Sequence, residues 1–486
     1  MSENARLNTL NTGVQGLDQI LGGGIPEFSF NIIGGAPGTG KTTLAHQMMF
    51  SMVGPHKRAL YFSALGEPPI KMLRYQQIFS FFDDAQVEQT IRFHNLGDVV
   101  QSADFEKVLA EILREVKSFQ PAFVFIDSFR SITRGVTAHP EGLLSIQNFT
   151  LQLGLQLTSW QVTSFLIGEY EPGEQHQNPI FTIADGILWL SHHVHGDSLI
   201  RKLQVIKLRG HEQIAGLHSF QISTAGLTVY PRALPLPPVV QIHDDTASKE
   251  RLHMGVAELD LMLGGGLPAG YSMLLVGPSG SGKTRLAMEF LAEGARCGEH
   301  GVIATFEKRL SQTCGGDLDA LIEQKMLTVL TMRSLDLLFD QELQRLTKAI
   351  ISCQAKRLVF DSLSCFELAL APEFREDFRE ALYRLITELN DKGITVLMTT
   401  EMEERYNELQ FSPYGNAFLV DAIVLQRYVE MAGQLNTIIT VVKLRGHAHS
   451  RDLRLFEIGA QGIRIGQTAL DIGPLLRGPN IASASQ

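Results

Sequence analysis

GAPGTGKT (Gly35–Thr42) and GPSGSGKT (Gly277–Thr284) both satisfy G-x-x-x-x-G-K-[ST], the pattern of a loop that wraps a phosphate. Each follows a short apolar run, FNIIGG or SMLLVG, and precedes a helix-compatible stretch, TTLAHQMMFSMV or TRLAMEFLAEGA. That strand–loop–helix context separates a phosphate loop from an ordinary glycine-rich turn. Gly35, Pro37, Gly38, Thr39 and Gly40 in one copy, and Gly277, Ser279, Gly280, Ser281 and Gly282 in the other, are candidates to bring backbone N–H groups against phosphate oxygens. Lys41 and Lys283 would reach the β and γ oxygens, Thr42 and Thr284 would hold Mg²⁺, and Thr43 and Arg285 complete the helix starts. The expected ligands are ATP and Mg²⁺.

Working outward, TGVQGLDQILGGGIP (Thr12–Pro26) is echoed by MGVAELDLMLGGGLP (Met254–Pro268), 242 residues apart like the two loops. So long a period marks a duplicated domain rather than a solenoid unit. Apolar runs ALYFSAL, AFVFIDS and TSFLIGE follow in the first half, and GVIATFE, RLVFDS and TVLMTTE in the second, with helical stretches between them. Such alternation predicts α/β domains with mainly parallel sheets flanked by helices, here two in tandem. The expected boundaries are 1–229, a proline-rich linker 230–250, a second domain 251–466 and a tail 467–486. Asp127 and Asp361 end apolar strands in the same D-S pair, as the metal-side carboxylate of such a site should.

The rest of the composition narrows the class. The chain has 486 residues, 44% hydrophobic and 19% charged, enough for two cores, and no apolar run long enough to span a bilayer. The start MSENARLNTLNTG lacks a basic, apolar secretory signal, so the expected location is the cytoplasm. Cys297, Cys314, Cys353 and Cys365 show no C-x-x-C spacing, which argues against a zinc or disulfide framework. A formal charge of -10 ranks nucleic acid low among partners. SHHVHGD carries His192, His193 and His195, read as a solvated turn, and the aromatics of YQQIFSFFDD (Tyr75–Asp84) read as core.

Hydrolysis needs a carboxylate that orients or deprotonates water, and the strand following the P-loop helix is its natural place. ATFEKR offers Glu307; SALGEPP offers Glu67, with Gly66 taken as the counterpart of Glu307. The pentapeptide KLRGH also occurs twice, at Lys207–His211 and Lys443–His447.

With GVQGLDQILGGGIP ahead of the P-loop, D-S after the next acidic strand and K-L-R-G near each domain end, the chain resembles the KaiC family of RecA-like ATPases over nearly its full length. The resemblance implies homohexameric double rings with ATP held between subunits. It further implies that Lys207, Leu208, Arg209, Lys443, Leu444 and Arg445 serve the nucleotide of a neighbouring subunit, the cations acting as arginine fingers do. His449 matches a nucleotide-side histidine of the family, where the first repeat has Gln213. A KaiB-like or other signalling protein is the implied partner. The family's phosphorylated serine–threonine pair aligns with Ala417 and Phe418, which carry no hydroxyl; Ser412 and Tyr414 are the nearest that do. The alternatives are a RecA-like recombinase or helicase, and a kinase acting on itself or a partner.

Overall fold

The computed structural model describes residues 8–64, 69–101, 104–133, 140–171, 173–174, 178–195, 198–232, 250–306, 317–332, 339–368, 375–402, 420–431, 433–459 and 462–466. The chain divides into two compact units, Met1–Arg232 and Ala233–Gln486. Most of the expected linker, 233–249, and the tail 467–486 fall outside the described residues. Tyr230, expected to open the linker, is the last residue of a strand.

In the first unit, β1 (Phe30–Gly35) leads through the glycine loop into α1 (Lys41–Met52). There follow β2 (Ala59–Ser63), β3 (Ile91–Asn95), α2 (Phe105–Phe119), β4 (Phe123–Asp127), α3 (Pro140–Ser159) and β5 (Thr163–Glu169). The unit closes with β6 (Gly186–His195), β7 (Ser198–Leu208), β8 (Leu217–Ser223) and β9 (Gly226–Tyr230). Together these strands make one nine-stranded sheet, ordered β9-β8-β7-β6-β1-β5-β4-β2-β3. The six strands from β6 to β3 in that order are parallel, and β6 to β9 form an antiparallel wing.

The second unit repeats this plan. Its strands are β10 (Ser272–Gly277), β11 (Gly301–Thr305), β12 (Leu327–Thr331), β13 (Arg357–Asp361) and β14 (Thr395–Glu401). The wing is β15 (Ala422–Met431), β16 (Gln434–Leu444), β17 (Arg454–Gly459) and β18 (Gly462–Ile465). The helix α4 (Lys283–Arg296) follows the second loop. Sheet order is β12-β11-β13-β14-β10-β15-β16-β17-β18, the same arrangement strand for strand.

Successive side chains of a strand point to opposite faces, so a central strand that is apolar throughout must be covered twice. In β1, Ile33 belongs to the core on one face with Leu44 and Met48 of α1, while Ile32 belongs to the core on the other face, which also includes Val108, Ile112 and Val116 of α2. Met273 and Leu275 against Leu274 and Val276 divide β10 the same way. The helix α2 earns its amphipathic reading: Val108, Ile112, Val116 and Phe119 form its buried stripe, and the Asp104 carboxylate accepts from the N–H groups of Glu106 and Lys107 at its start. α1 is buried nearly all round, because it lies in the middle of the sheet face.

The expected aromatic core segment Tyr75–Asp84 is divided: Phe81 and Phe82 pack on Phe50, whereas Tyr75 is exposed. The three described cysteines, Cys297, Cys353 and Cys365, are unpaired thiols.

Candidate nucleotide site

Each glycine loop turns the chain from a strand end into a helix through left-handed backbone. Gly38 and Gly40 have φ of 75° and 102°, and Gly280 and Gly282 have 77° and 95°, a region side-chain-bearing residues avoid. A Cβ on Gly40 would stand 2.6 Å from Ile222 Cδ1, and one on Gly282 2.4 Å from Ile458 Cδ1. No side chain caps either helix, so the first-turn N–H groups of α1 and α4 face the loop without a side-chain acceptor. That is the donor set an anionic phosphate requires.

The lysines fold over these loops. Lys41 Nζ donates to Ala36 O at 2.7 Å, and Lys283 Nζ donates to Gly277 O at 2.8 Å and Pro278 O at 2.7 Å. Burial pulls both ammonium groups below the usual lysine range, partly opposed by the charges of Glu169 and Asp127 in one site and Glu401 and Asp361 in the other. Beside them, Thr42 Oγ1 donates to Asp127 Oδ2 and Thr284 Oγ1 to Asp361 Oδ2, each at 2.8 Å. A hydroxyl and a carboxylate already in contact, beside an uncapped helix start, fit the ligand chemistry of Mg²⁺ on a nucleotide. The remaining loop residues differ: Thr39 Oγ1 donates to Ala36 O at 2.9 Å, while Ser281 Oγ donates to Gln426 Oε1 at 3.0 Å and Ser279 O accepts from Tyr428 Oη at 3.2 Å. Thr43 and Arg285 are half-buried beside them.

The second support of the acidic residue separates the two sites. Tyr61 Oη, from β2, donates to Asp127 Oδ2 at 2.7 Å; Thr399 Oγ1, from β14, donates to Asp361 Oδ1. Burial pushes the Asp127 carboxyl up, with Tyr61, Thr42 and Lys41 pulling it back. The Tyr61 phenol is pushed well up by burial and by Asp127, so it stays a proton donor. His46, fully buried edge-on to Tyr61 with ring centres 4.8 Å apart, is driven by burial down to about 3 and is neutral. Sequence reading missed Tyr61 and Thr399, whose roles depend on which strands lie side by side.

The first site opens into a cavity of about 700 Å³ that includes Lys41, Thr42, Tyr61, Asp127, Arg130 and Glu169. Arg130 holds Glu174 by two hydrogen bonds, of 2.6 and 3.2 Å. A hollow of about 380 Å³ in the second unit, bordered by Glu250, Lys356 and Gly393, includes no P-loop residue.

The K-L-R-G segments lie elsewhere on each sheet. Lys207 pairs with Ile187, and Ile187 with Ile32, near the start of β1, whereas the P-loop leaves the far end at Gly35. A bulge at the same place in both wings, between Ile187 and Leu188 and between Ile423 and Val424, precedes these residues in the ladder. Lys207 Nζ donates to Thr182 O at 3.0 Å, and Lys443 Nζ to Val420 O at 2.5 Å. Burial lowers both lysines from their ordinary value. Leu208 and Leu444 anchor the segments in the cores, while Arg209 and Arg445 project outward, 60% and 76% exposed, over Asp185 and Asp421. These residues are therefore not brought to the P-loop of their own unit. Gln213 Nε2 donates to Val205 O, and both ring nitrogens of His449 are shielded without a hydrogen-bond partner among the described residues.

Glu67, Gly66, Glu307, Ser412, Tyr414, Ala417 and Phe418 fall outside the described residues. The strands before them nevertheless correct one correspondence. Ser63 pairs with Asp127 and Thr305 with Asp361, so counting on from these equivalent positions matches Glu307 with Leu65, not Gly66. By that count the sequence of the first unit has a leucine where that of the second has Glu307. His192 and His193 lie on β6 opposite Arg201 and Ile200. The described histidine–acid group with ligand atoms within 4.8 Å of one another is a different one, His94, Glu111 and Glu115.

A family model described as ATPase KaiC matches residues 10–233 and again 252–469. The chain belongs to the KaiC ATPase family. The two matches cover the two nine-stranded units, which are tandem RecA-like domains. Curated relatives named circadian clock oscillator protein KaiC align along most of their length. The protein from Picosynechococcus sp. is 24% identical over 469 residues, covering 94% of this chain and 89% of the relative. The protein from Rippkaea orientalis is 25% identical over 468 residues, covering 93% and 88%. That from Synechococcus elongatus is 24% identical over 475 residues, covering 95% and 89%. Membership makes this a P-loop ATPase by kind and a nucleotide binder in both halves. No helix among the described residues is long and apolar enough to cross a membrane.

Proposed function

We propose that the protein is a cytoplasmic homohexameric ATPase that binds MgATP between subunits in two rings and uses turnover as a switch for partner proteins. The observation carrying this reading is the separation of cations from phosphate loop within each unit. From Ile32, the register of Lys207, to Gly35 is three residues, about 10 Å at strand rise, and the Lys207 amine points to Thr182 on the side away from the loop. Lys443, in register with Leu274 through Ile423, repeats this relation to Gly277. An exposed arginine set off from its own P-loop serves a nucleotide when a neighbouring copy brings its loop to it, in the manner of a heterologous ring contact.

Within each site, the glycine loops would hold the phosphates, Lys41 and Lys283, now on loop carbonyls, would serve phosphate oxygens, and Thr42 with Asp127, or Thr284 with Asp361, would hold Mg²⁺. When bound, Mg²⁺ supplies charge neutralisation to the β and γ oxygens. Glu307 orients the attacking water in the second unit, with Glu67 as the lesser candidate in the first. His449 faces the nucleotide across the subunit boundary, as Gln213 does in the first ring. Ala417 and Phe418 exclude phosphoryl transfer to those positions, so an autokinase activity would use other acceptors, Ser412 and Tyr414 being nearest. A KaiB-like or other signalling protein is the partner class this reading implies.

Light scattering with and without MgATP tests the assembly. Six copies should associate with nucleotide, and Lys207→Ala or Lys443→Ala should weaken that association; a monomer at saturating MgATP would overturn the reading.

A further inference from the structure

By residue count along the paired strands, the first unit's sequence has Leu65 where the second has Glu307, which leaves room for a carboxylate from another strand end. We propose that Glu169 orients the attacking water there, an inference that rests on the ATPase reading of the first P-loop. Glu169 is the last residue of β5, in register with Gly35 where the loop begins. Since β5 lies between β1 and β4, this end position stands between the strand that delivers Lys41 and the strand that delivers Asp127.

Its carboxylate is exposed at the strand end and lines the same cavity as Lys41, Thr42 and Asp127. Of the other acids lining that cavity, Asp127 is bound to Thr42 and Tyr61 and Glu174 to Arg130, while Glu171 lies two residues past the strand end, outside the register with Gly35. Of the two acids whose charge opposes the burial effect on Lys41, Glu169 acts more strongly than Asp127. Glu401 occupies the equivalent position against Gly277 and acts likewise on Lys283, so the placement is built into the fold.

A carboxylate facing a triphosphate has no proton to share with it and repels it at contact. It therefore meets the phosphate across a water molecule, the geometry of a water-orienting base. In the step, the water oxygen bonds to the γ-phosphorus as the bond from phosphorus to the β–γ bridging oxygen breaks. The water proton passes to Glu169 and on to solvent; nothing is oxidised or reduced.

The test uses the full chain with Lys283→Ala, which confines turnover to the first site. Single-turnover hydrolysis of γ-labelled ATP and affinity for a non-hydrolysable ATP analogue are measured with and without Glu169→Gln. Hydrolysis should fall by about 10² to 10⁴, the usual loss for such a group. Affinity should hold or tighten, because a charge that repels phosphate is gone, and Glu169→Asp should recover part of the rate. A merely structural role would lower affinity and rate together. Hydrolysis within about three-fold of the parent, or a parallel loss of both, overturns the proposal. A parent chain that binds the analogue without hydrolysing it also overturns it. If the parent fails to bind the analogue, the P-loop reading of the first site falls, and this inference falls with it.

Discussion

Across the middle of the first sheet, at one register, run Phe165, Phe125, Tyr61 and Phe93; the same row in the second sheet is Leu397, Val359, Ile303 and Val329. The aromatic row is closely stacked, with Phe125 and Phe165 centres 4.7 Å apart and nearly parallel, and Phe125 and Tyr61 centres 6.3 Å apart. Because the row includes a tyrosine, it carries a hydroxyl that reaches Asp127; the aliphatic row has none, and Thr399 supplies the hydroxyl to Asp361 from another strand. In the first unit the residue at the Thr399 position is Ile167, two steps before the strand end, as Thr399 is. Two cores of different chemistry thus deliver the same support by different routes. The phosphate chemistry constrains where a donor must arrive, not which strand sends it.

The largest expected effect breaks the comparison at the water-orienting carboxylate. In a chain whose first site is silenced by Lys41→Ala, Glu307→Gln should lower second-site ATP turnover by about 10² to 10⁴, read as phosphate release. With the second site silenced instead, Glu67→Gln should cost the first site much less. If both substitutions act equally, the unequal placement inferred from Leu65 is wrong.

Next comes the aromatic row itself. Phe125→Ala removes a fully buried ring stacked on both sides and should cost about 3–5 kcal/mol in denaturant unfolding of the first unit. Val359→Ala, which removes a much smaller side chain from the equivalent place, should cost the second unit less; equal losses would mean the row is not a packing unit.

A smaller change sharpens the difference between the supports. Tyr61→Phe deletes a hydrogen bond to a buried carboxylate, about 1.5–3 kcal/mol, and should weaken Mg²⁺-dependent nucleotide binding at the first site alone. Thr399→Val should do so at the second alone. The pH dependence follows with a definite sign. The metal-binding form of Asp127 is the carboxylate, burial raises its pKa, and Tyr61 lowers it. First-site activity is therefore lost as pH falls through that raised value, and Tyr61→Phe should move the loss to higher pH in a pH–rate profile. Smallest of all is the response to DNA: with a net charge of -10, added DNA should leave turnover unchanged at physiological salt. DNA-stimulated turnover would favour a recombinase instead.

Much of this was legible in the residues. FNIIGG, TSFLIGE, SMLLVG and TVLMTTE are strands over the spans read from their apolar runs, because strands covered on both faces leave a continuous signal. The Thr–Asp pairs followed from motif and strand end. What could not be read is whatever depends on lateral register. Tyr61 reads as one more core aromatic until β2 is known to lie beside β4, and Glu169 reads as a strand's polar end until β5 is known to lie between β1 and β4. The antiparallel wings were missed because β6 to β9 mix polar and apolar residues without a loop motif to anchor them. Counting from the residues paired with Asp127 and Asp361 matches Glu307 with Leu65 instead of Gly66, because strand length, unlike pairing, does not fix position; these residues lie outside the described ones.

The central claim, that the K-L-R-G cations complete a neighbour's site, is tested most directly by mixing two inactive chains. All copies carry Lys283→Ala; one population adds Lys41→Ala, the other Lys207→Ala with Arg209→Ala. In randomly mixed rings, about a quarter of subunit boundaries join an intact loop to intact cations, so ATP turnover should reappear on mixing at roughly that fraction of the parent. Mixtures that stay as inactive as the separate chains, although shown to share rings, would contradict the account.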